Sequence, residues 1–293
     1  MRRAWVGFIG CVIACVLAAT LVASAGGASG SEKAKLYYVQ GSYLKSISAT
    51  GGSTARKTVA RLPTQGAEAL ALGGGRVFIA SADAIWTVSL RTGRTKKLVR
   101  GLHYPSAVAY SAGHVYFEDS RGIGRVLPDG AKLQRNFIRL SAENGGGVTE
   151  GLAIAGNYIY FTRCQDDAIG KATLDGGFTQ QQFILLAAHD CPQGLAAGGG
   201  YLYFTELGIS PGTGRIGRVR VGGADIETSW LTTTSDALGP YAVAVAGSSL
   251  FWTHDEGAGG SSYIGRVRTD LTKYSPAFLK APSNKAIGLI VAG

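Results

Sequence analysis

Glu206 and the run His254-Asp255-Glu256 come nearest, by type and spacing, to residues that do chemistry. A histidine followed by two carboxylates places a base that titrates near neutrality beside oxygen donors that suit a hard cation. Glu150 and the pair Asp166-Asp167 add further carboxylates. The expected ligand-binding residues are therefore Glu150, Asp166, Asp167, Glu206, His254, Asp255 and Glu256. Glu150 and Glu206 are the metal candidates, with Ca²⁺ or Mg²⁺ as the ion such oxygens would take, and His254 is the catalytic candidate. Other signatures are missing: the chain has no Ser-His-Asp order, no phosphate-binding Gly loop and no Cys-x-x-Cys pair. Gly73-Gly74-Gly75 and Gly145-Gly146-Gly147 read as turns, and His103, His114 and His189 read as loop or strand-start residues.

These residues are positioned by a repeat. An aromatic strand recurs as Leu36-Tyr37-Tyr38, Val77-Phe78-Ile79, Val115-Tyr116-Phe117, Ile159-Tyr160-Phe161, Leu202-Tyr203-Phe204 and Leu250-Phe251-Trp252. The steps between first residues are 41, 38, 44, 43 and 48, which suits four-stranded propeller blades. From the second unit on, each aromatic strand follows a small-residue strand, such as Gly151 to Gly156, and in four units it is followed by an Ile-Gly-Arg type strand, around Arg125, Lys171, Arg218 or Arg266. The basic residue recurs in four blades, so it reads as architectural, tying each blade to the next. Two-residue turns such as Gly156-Asn157 and Asp175-Gly176 close one face. The opposite face collects Glu68, Asp83, Glu118, Asp119, Glu143, Glu150, Asp166, Asp167, Asp190, Glu206, Asp236, Asp255 and Glu256, which is 13 of the 19 acids. The second-to-third-strand loops there are about four residues in blades two to four, and longer across 207–214 and 254–262.

The first aromatic strand has no small-residue strand before it, whereas the chain ends on Ile287-Gly-Leu-Ile-Val-Ala-Gly293, which is that missing strand. The expected fold is all-β: a six-bladed β-propeller of four-stranded antiparallel blades, closed by the C-terminal strand in blade one. It occupies 35–293 as a single domain after a 26–34 linker.

The repeat Tyr203-Phe204-Thr205-Glu206 with Ile216-Gly217-Arg218-Val219 resembles the virginiamycin B (streptogramin) lyase family, and the aromatic-aromatic-Thr strand looks like propellers of the low-density-lipoprotein-receptor type. The lyase resemblance implies a metal-binding Glu and a catalytic His in a Glu-Pro-His-Gly element before a first strand. Here the matching element is Cys191-Pro192-Gln193-Gly194, with Gln193 where His is expected. The base for an elimination is therefore absent from its place.

Arg2 and Arg3 precede an uncharged stretch that ends in Ala23-Ser24-Ala25, so 1–25 reads as a cleaved signal peptide ahead of an uncleaved anchor and a lipoprotein signal. The remaining chain carries a net charge of +8, two less than the whole. The expected location is secreted or in the cell envelope. There Cys164 and Cys191 are expected to form a disulfide, ahead of free thiols or a metal site. The expected function is an exported non-catalytic binding or scaffold module taking a protein, glycan or small ligand on its loop face. The alternative is a metal-dependent lyase or lactone hydrolase. Nucleic acid is not an expected partner, membrane contact is expected only through an N-terminal anchor, and the chain is expected to be a monomer.

Overall fold

The computed structural model describes residues 34–50, 55–64, 67–103, 105–119, 122–141, 150–206, 213–233, 239–255, 262–281 and 286–292. The segment 1–25, Glu143, Asp236 and Glu256 lie outside them. The strands form six four-stranded antiparallel sheets. Blade two runs Ala69–Gly73, Arg76–Ser81, Ala84–Ser89 and Thr95–Arg100; blade three runs Val108–Ser111, His114–Asp119, Gly122–Val126 and Gln134–Arg139. Blade four runs Leu152–Ala155, Tyr158–Arg163, Ala168–Thr173 and Thr179–Leu185; blade five runs Pro192–Gly198, Tyr201–Glu206, Arg215–Arg220 and Glu227–Thr232. Blade six runs Val243–Ala246, Ser249–Asp255, Ser262–Arg268 and Ser275–Ala281. In blade one the C-terminal strand Ala286–Ala292 pairs with Lys35–Gln40, followed by Tyr43–Ser48 and Lys57–Arg61. The first strands pack each on the next around the whole ring. The all-β six-bladed propeller and its closure are as the repeat requires.

The Ile-Gly-Arg strand has a steric origin. In blades three to six the glycine lies across the sheet from the last aromatic of the second strand: Gly124 from Phe117, Gly170 from Phe161, Gly217 from Phe204 and Gly265 from Trp252. A Cβ built on Gly217 would stand 2.3 Å from Phe204 Cζ, so the ring lies in the space a side chain would need. Blade two has Ile79 opposite Trp86 and blade one Tyr38 opposite Lys45, so the glycine is required where a Phe or Trp ring fills the space of its Cβ, in blades three to six.

The recurrent basic residue acts within its own blade, not between blades as its recurrence suggested. Arg125 lies 3.6 Å from the Phe137 ring centroid, Lys171 lies between Tyr158 and Phe183, and Arg218 between Tyr201 and Trp230. Arg125 covers an aromatic face on the fourth strand and the other two cover faces on the second and fourth, each an attraction of about 0.5–2 kcal/mol. Blade-to-blade ties come from other residues: Lys96 donates to Asp129 O at 2.9 Å and Arg135 to Gly101 O at 3.3 Å, and hydroxyls make further ones. Tyr116 donates to Leu174 O at 3.1 Å and Tyr160 to Val221 O at 2.8 Å. Nearer the axis, Thr162 donates to Gln193 O at 2.8 Å and Thr205 to Tyr241 O at 2.6 Å. The first strands approach closely there: a Cβ on Gly194 would lie 2.4 Å from Tyr241 O.

The turns expected to need left-handed backbone have it, at Gly74, Gly156, Gly199 and Gly247 among others. The second-to-third-strand loops are shorter than expected in blades two and three, where only 82–83 and 120–121 intervene. In blade four, 164–167 intervene and hold a single 3-10 turn, Cys164–Asp166. The long stretches 207–214 and 254–262 lie largely outside the described residues.

Gly217→Val should overpack the Phe204 crossing, at a cost of about 2 kcal/mol and several degrees of Tm. Adding Phe204→Ile removes the ring from that space, as Ile79 does opposite Trp86 in blade two, and should recover most of that loss. Thermal unfolding of the two variants checks the pairing, and a double variant no more stable than the single would show that the crossing is not a size exchange.

Candidate functional site

Every second strand ends at the loop face, and the residue three places after the middle aromatic position of its repeat is polar and different in each blade. The set is Gln40, Ser81, Asp119, Arg163, Glu206 and His254, the last of these one residue short of the strand end at Asp255. A polar group buried at a strand end needs a partner there. Gln40 accepts from Lys45 Nζ at 2.7 Å, and Ser81 shares a hydrogen bond with Thr64 at 2.9 Å. Arg163 pairs with Asp166 and donates to Gln181 Oε1 at 2.9 Å and to Ser141 O at 3.1 Å. This links the start of the blade-four loop to the connection leaving blade three.

The densest charge lies on blade five. Arg215 donates from Nε to Glu206 Oε2 at 2.8 Å and from Nη2 to Asp190 Oδ1 at 2.8 Å, so one guanidinium bridges two carboxylates. Asp190 is further fixed by the Ala187 N–H, 3.0 Å from Oδ2. Glu206 is 1 % exposed, and its Oε1 has no partner. Burial and the neighbouring Asp190 charge push the Glu206 carboxyl up to about 7, against the pull of Arg215. Gln193 is also buried, and its Oε1 likewise has no partner, while its Nε2 lies 3.1 Å from Cys191 Sγ. Gln193 follows Pro192, whose Cα is the register partner of Glu206. Two orphaned acceptor oxygens thus belong to one short stretch of paired backbone.

Beside them Cys164 and Cys191 are joined by a disulfide. The bond fastens the blade-four loop to the blade-four-to-five connection, and Asp167 reinforces it. Asp167 takes a left-handed conformation at φ 46°, and its carboxylate accepts from the His189 N–H at 2.9 Å and the Cys191 N–H at 3.0 Å. His189 and Cys191 also have positive φ, so the connection folds back on itself under the hold of one carboxylate and one covalent bond.

The expected site residues separate into three groups. Asp166, Asp167 and Glu206 lie in this network on blades four and five. Glu150 stands at the entry to blade four, its carboxyl pushed up to about 7 by burial alone. His254 is on blade six, 5 % exposed, stacked on Tyr263 with its Nε2 donating to Pro276 O at 2.8 Å. The remaining ring nitrogen, Nδ1, is buried without a partner. Asp255 pairs with Ser262 at the end of the second strand, and Glu256 lies outside the described residues. Among the described residues no three His, Cys, Asp or Glu side chains come together to hold a metal ion. Between Glu206 and Asp190 the cation is already Arg215, so this pair does not fit Ca²⁺ or Mg²⁺.

Reading the sequence by histidines and carboxylates missed Arg215. Its signal is a column: the residue before Ile-Gly is Gly122, Ala168 and Tyr263 in other blades, and Arg only here. Gln193 was noticed only as a missing histidine.

No family model matches the chain, and no curated protein does. Among solved structures it is similar to a chain of the nidogen/laminin complex at 17% identity and TM-score 0.65, covering 88% of this chain and 98% of that one. It is also similar to a putative TolB from Agrobacterium tumefaciens at 16% identity and TM-score 0.60, covering 86% and 90%. These likenesses define the class by fold alone: a six-bladed β-propeller. The resemblance to streptogramin lyases rests on the repeat motifs alone.

Two outcomes follow. Intact mass after alkylation without reductant should show no labelled thiol at Cys164 or Cys191, and reduction should cost about 3 kcal/mol for a loop of this length. Glu206 holds its proton in the folded state up to about pH 7 but releases it in the unfolded state near its ordinary 4.5. The unfolded state therefore binds fewer protons between these values, and stability should fall as pH rises from about 4.5 to 7, by at most ~3 kcal/mol. Chemical denaturation across that window should be flatter in Glu206→Gln, and an unchanged slope would remove Glu206 as its source.

Proposed function

We propose that this chain is an exported, non-catalytic binding module whose ligand docks on the loop face of blades five and six. The observation that carries this reading is the pair of buried acceptors, Glu206 Oε1 and Gln193 Oε1, left without donors beside a network otherwise complete. Leaving such atoms unpaired costs about 1–3 kcal/mol each, so a ligand bringing N–H donors gains by meeting them. Glu206 and Asp190 set two carboxylates against the single Arg215 guanidinium, and the Asp167 carboxylate holds the adjoining connection, so the site favours positive charge on that ligand, as on a lysine-bearing protein or a polyamine. The Cys164–Cys191 bond supports residence in an oxidising compartment. The non-catalytic reading is supported by Gln193 standing where a lyase would carry histidine, and by the buried, hydrogen-bonded ring of His254.

Titration calorimetry with tetralysine and with spermidine at pH 8 tests the proposal. Saturable binding should weaken at least tenfold in Glu206→Gln and remain unchanged in Asp129→Asn on the opposite face. Binding that ignores Glu206→Gln, or no binding of either cation, rejects it. Turnover on a lactone panel that is lost in His254→Gln would instead establish the hydrolase alternative.

A further inference from the structure

The turn face, opposite the acidic loops, carries a pattern of its own. The residue just before the outermost strand is Leu133 in blade three, Phe178 in blade four, Ile226 in blade five and Tyr274 in blade six. All four are large, apolar or aromatic, and 40 to 48 % exposed. Blades one and two carry Arg56 and Arg94 at the same position, both exposed. Residues at one repeat position are related by rotation about the propeller axis, and such positions lie in a plane normal to that axis. Four exposed apolar side chains on consecutive blades therefore form a coplanar arc, a geometry met all at once by a flat partner and only in part by a small globular one.

Bases outnumber acids on this face. Arg56, Arg91, Arg94, Lys132 and Lys273 are exposed in the turns between third and fourth strands. Of the four aspartates there, Asp225 pairs with Arg220 and Asp270 with Arg268, which leaves Asp129 and Asp175 against those five bases. Next to Leu133 an open recess of about 290 Å³ is lined by His114, Arg125, Lys132, Leu133 and Gln134, which sets basic groups beside an apolar side chain.

We propose that the turn face docks on an anionic lipid surface. Leu133, Phe178, Ile226 and Tyr274 enter the headgroup boundary, and the Lys132 recess receives a lipid phosphate. Apolar burial and attraction to anionic lipid act together in interfacial binding of this kind. A purely polyanionic glycan or polyphosphate would use the basic residues but has no use for the apolar arc, which is why a bilayer is the occupant favoured here. Docking in this orientation turns the loop face, with Glu206 and Gln193, outward towards soluble ligands. The membrane contact is independent of the N-terminal segment to which the sequence alone assigned it.

Hydrogen exchange of the full chain, with and without vesicles, tests the proposal, because it localises contact whatever the N-terminal segment does. Vesicles of phosphatidylglycerol and phosphatidylcholine should protect the turns 129–134, 175–179, 224–227 and 270–275. Pure phosphatidylcholine should not, and salt should weaken the effect. The variant Leu133→Ser/Phe178→Ser/Ile226→Ser/Tyr274→Ser should lose that protection at least tenfold in lipid concentration. Lys132→Glu/Lys273→Glu, at exposed sites where folding is not at stake, should do the same with Tm unchanged. Equal protection by both vesicle types, or none by either, overturns the proposal. So does inorganic phosphate or polyphosphate reproducing the protection in full while the four-serine variant binds as well as its parent, since that describes an anion site without a membrane.

Discussion

Ring closure is the constraint on which the rest of this structure depends. Each blade has two faces to bury, and a linear stack of blades would leave a face bare at either end and an unpaired strand beside it. Pairing Ala286–Ala292 with Lys35–Gln40 removes both defects with one set of backbone hydrogen bonds. It also fixes the rotation from blade to blade, so every tie between neighbours must be made at the same geometry. The Thr162 and Thr205 hydroxyls meet that demand near the axis, and the Tyr116 and Tyr160 hydroxyls meet it further out. The glycines near the axis, Gly151 and Gly194, exist because the first strands are pressed together there.

A closed ring makes the two faces chemically independent. The turn face joins first strands to second by two residues and third strands to fourth by five or more, and its exposed bases outnumber the aspartates left outside ion pairs. The loop face holds the connections whose lengths are free to vary, and acids collect there. Blades four and five go furthest: a disulfide, an Asp167 cradle and the Arg215 bridge hold the connection between them in a left-handed, folded-back form. Rigidity at that spot keeps Glu206 Oε1 and Gln193 Oε1 buried and unpaired in place of relaxing towards water. A site preorganised in this way loses less entropy when a ligand arrives.

Glu206 joins the two themes of burial and charge. Its carboxylate contacts Arg215, yet it is removed from water and faces Asp190, so its proton affinity rises in spite of the guanidinium. A cationic partner would tip that balance the other way. The same residue is thus the point where binding, protonation and stability are coupled.

The sequence by itself determined the architecture. A period near forty residues, an aromatic strand in every unit and a missing first strand at one end leave a closed six-bladed ring as the arrangement that buries every face. The cysteine pair was legible too, because the repeat put both residues on one face. What the sequence could not supply was the partner of each charge. The Ile-Gly-Arg residues looked like ties between blades, but side-chain length and the packing of Phe137, Phe183 and Trp230 direct them inward to their own sheets. Arg215 and Glu206 sit on successive strands across a long loop, and Asp190 is 25 residues from Arg215. Only the tertiary structure brings these three together, because a propeller stacks strand ends at a shared level on one face whatever separates them along the chain.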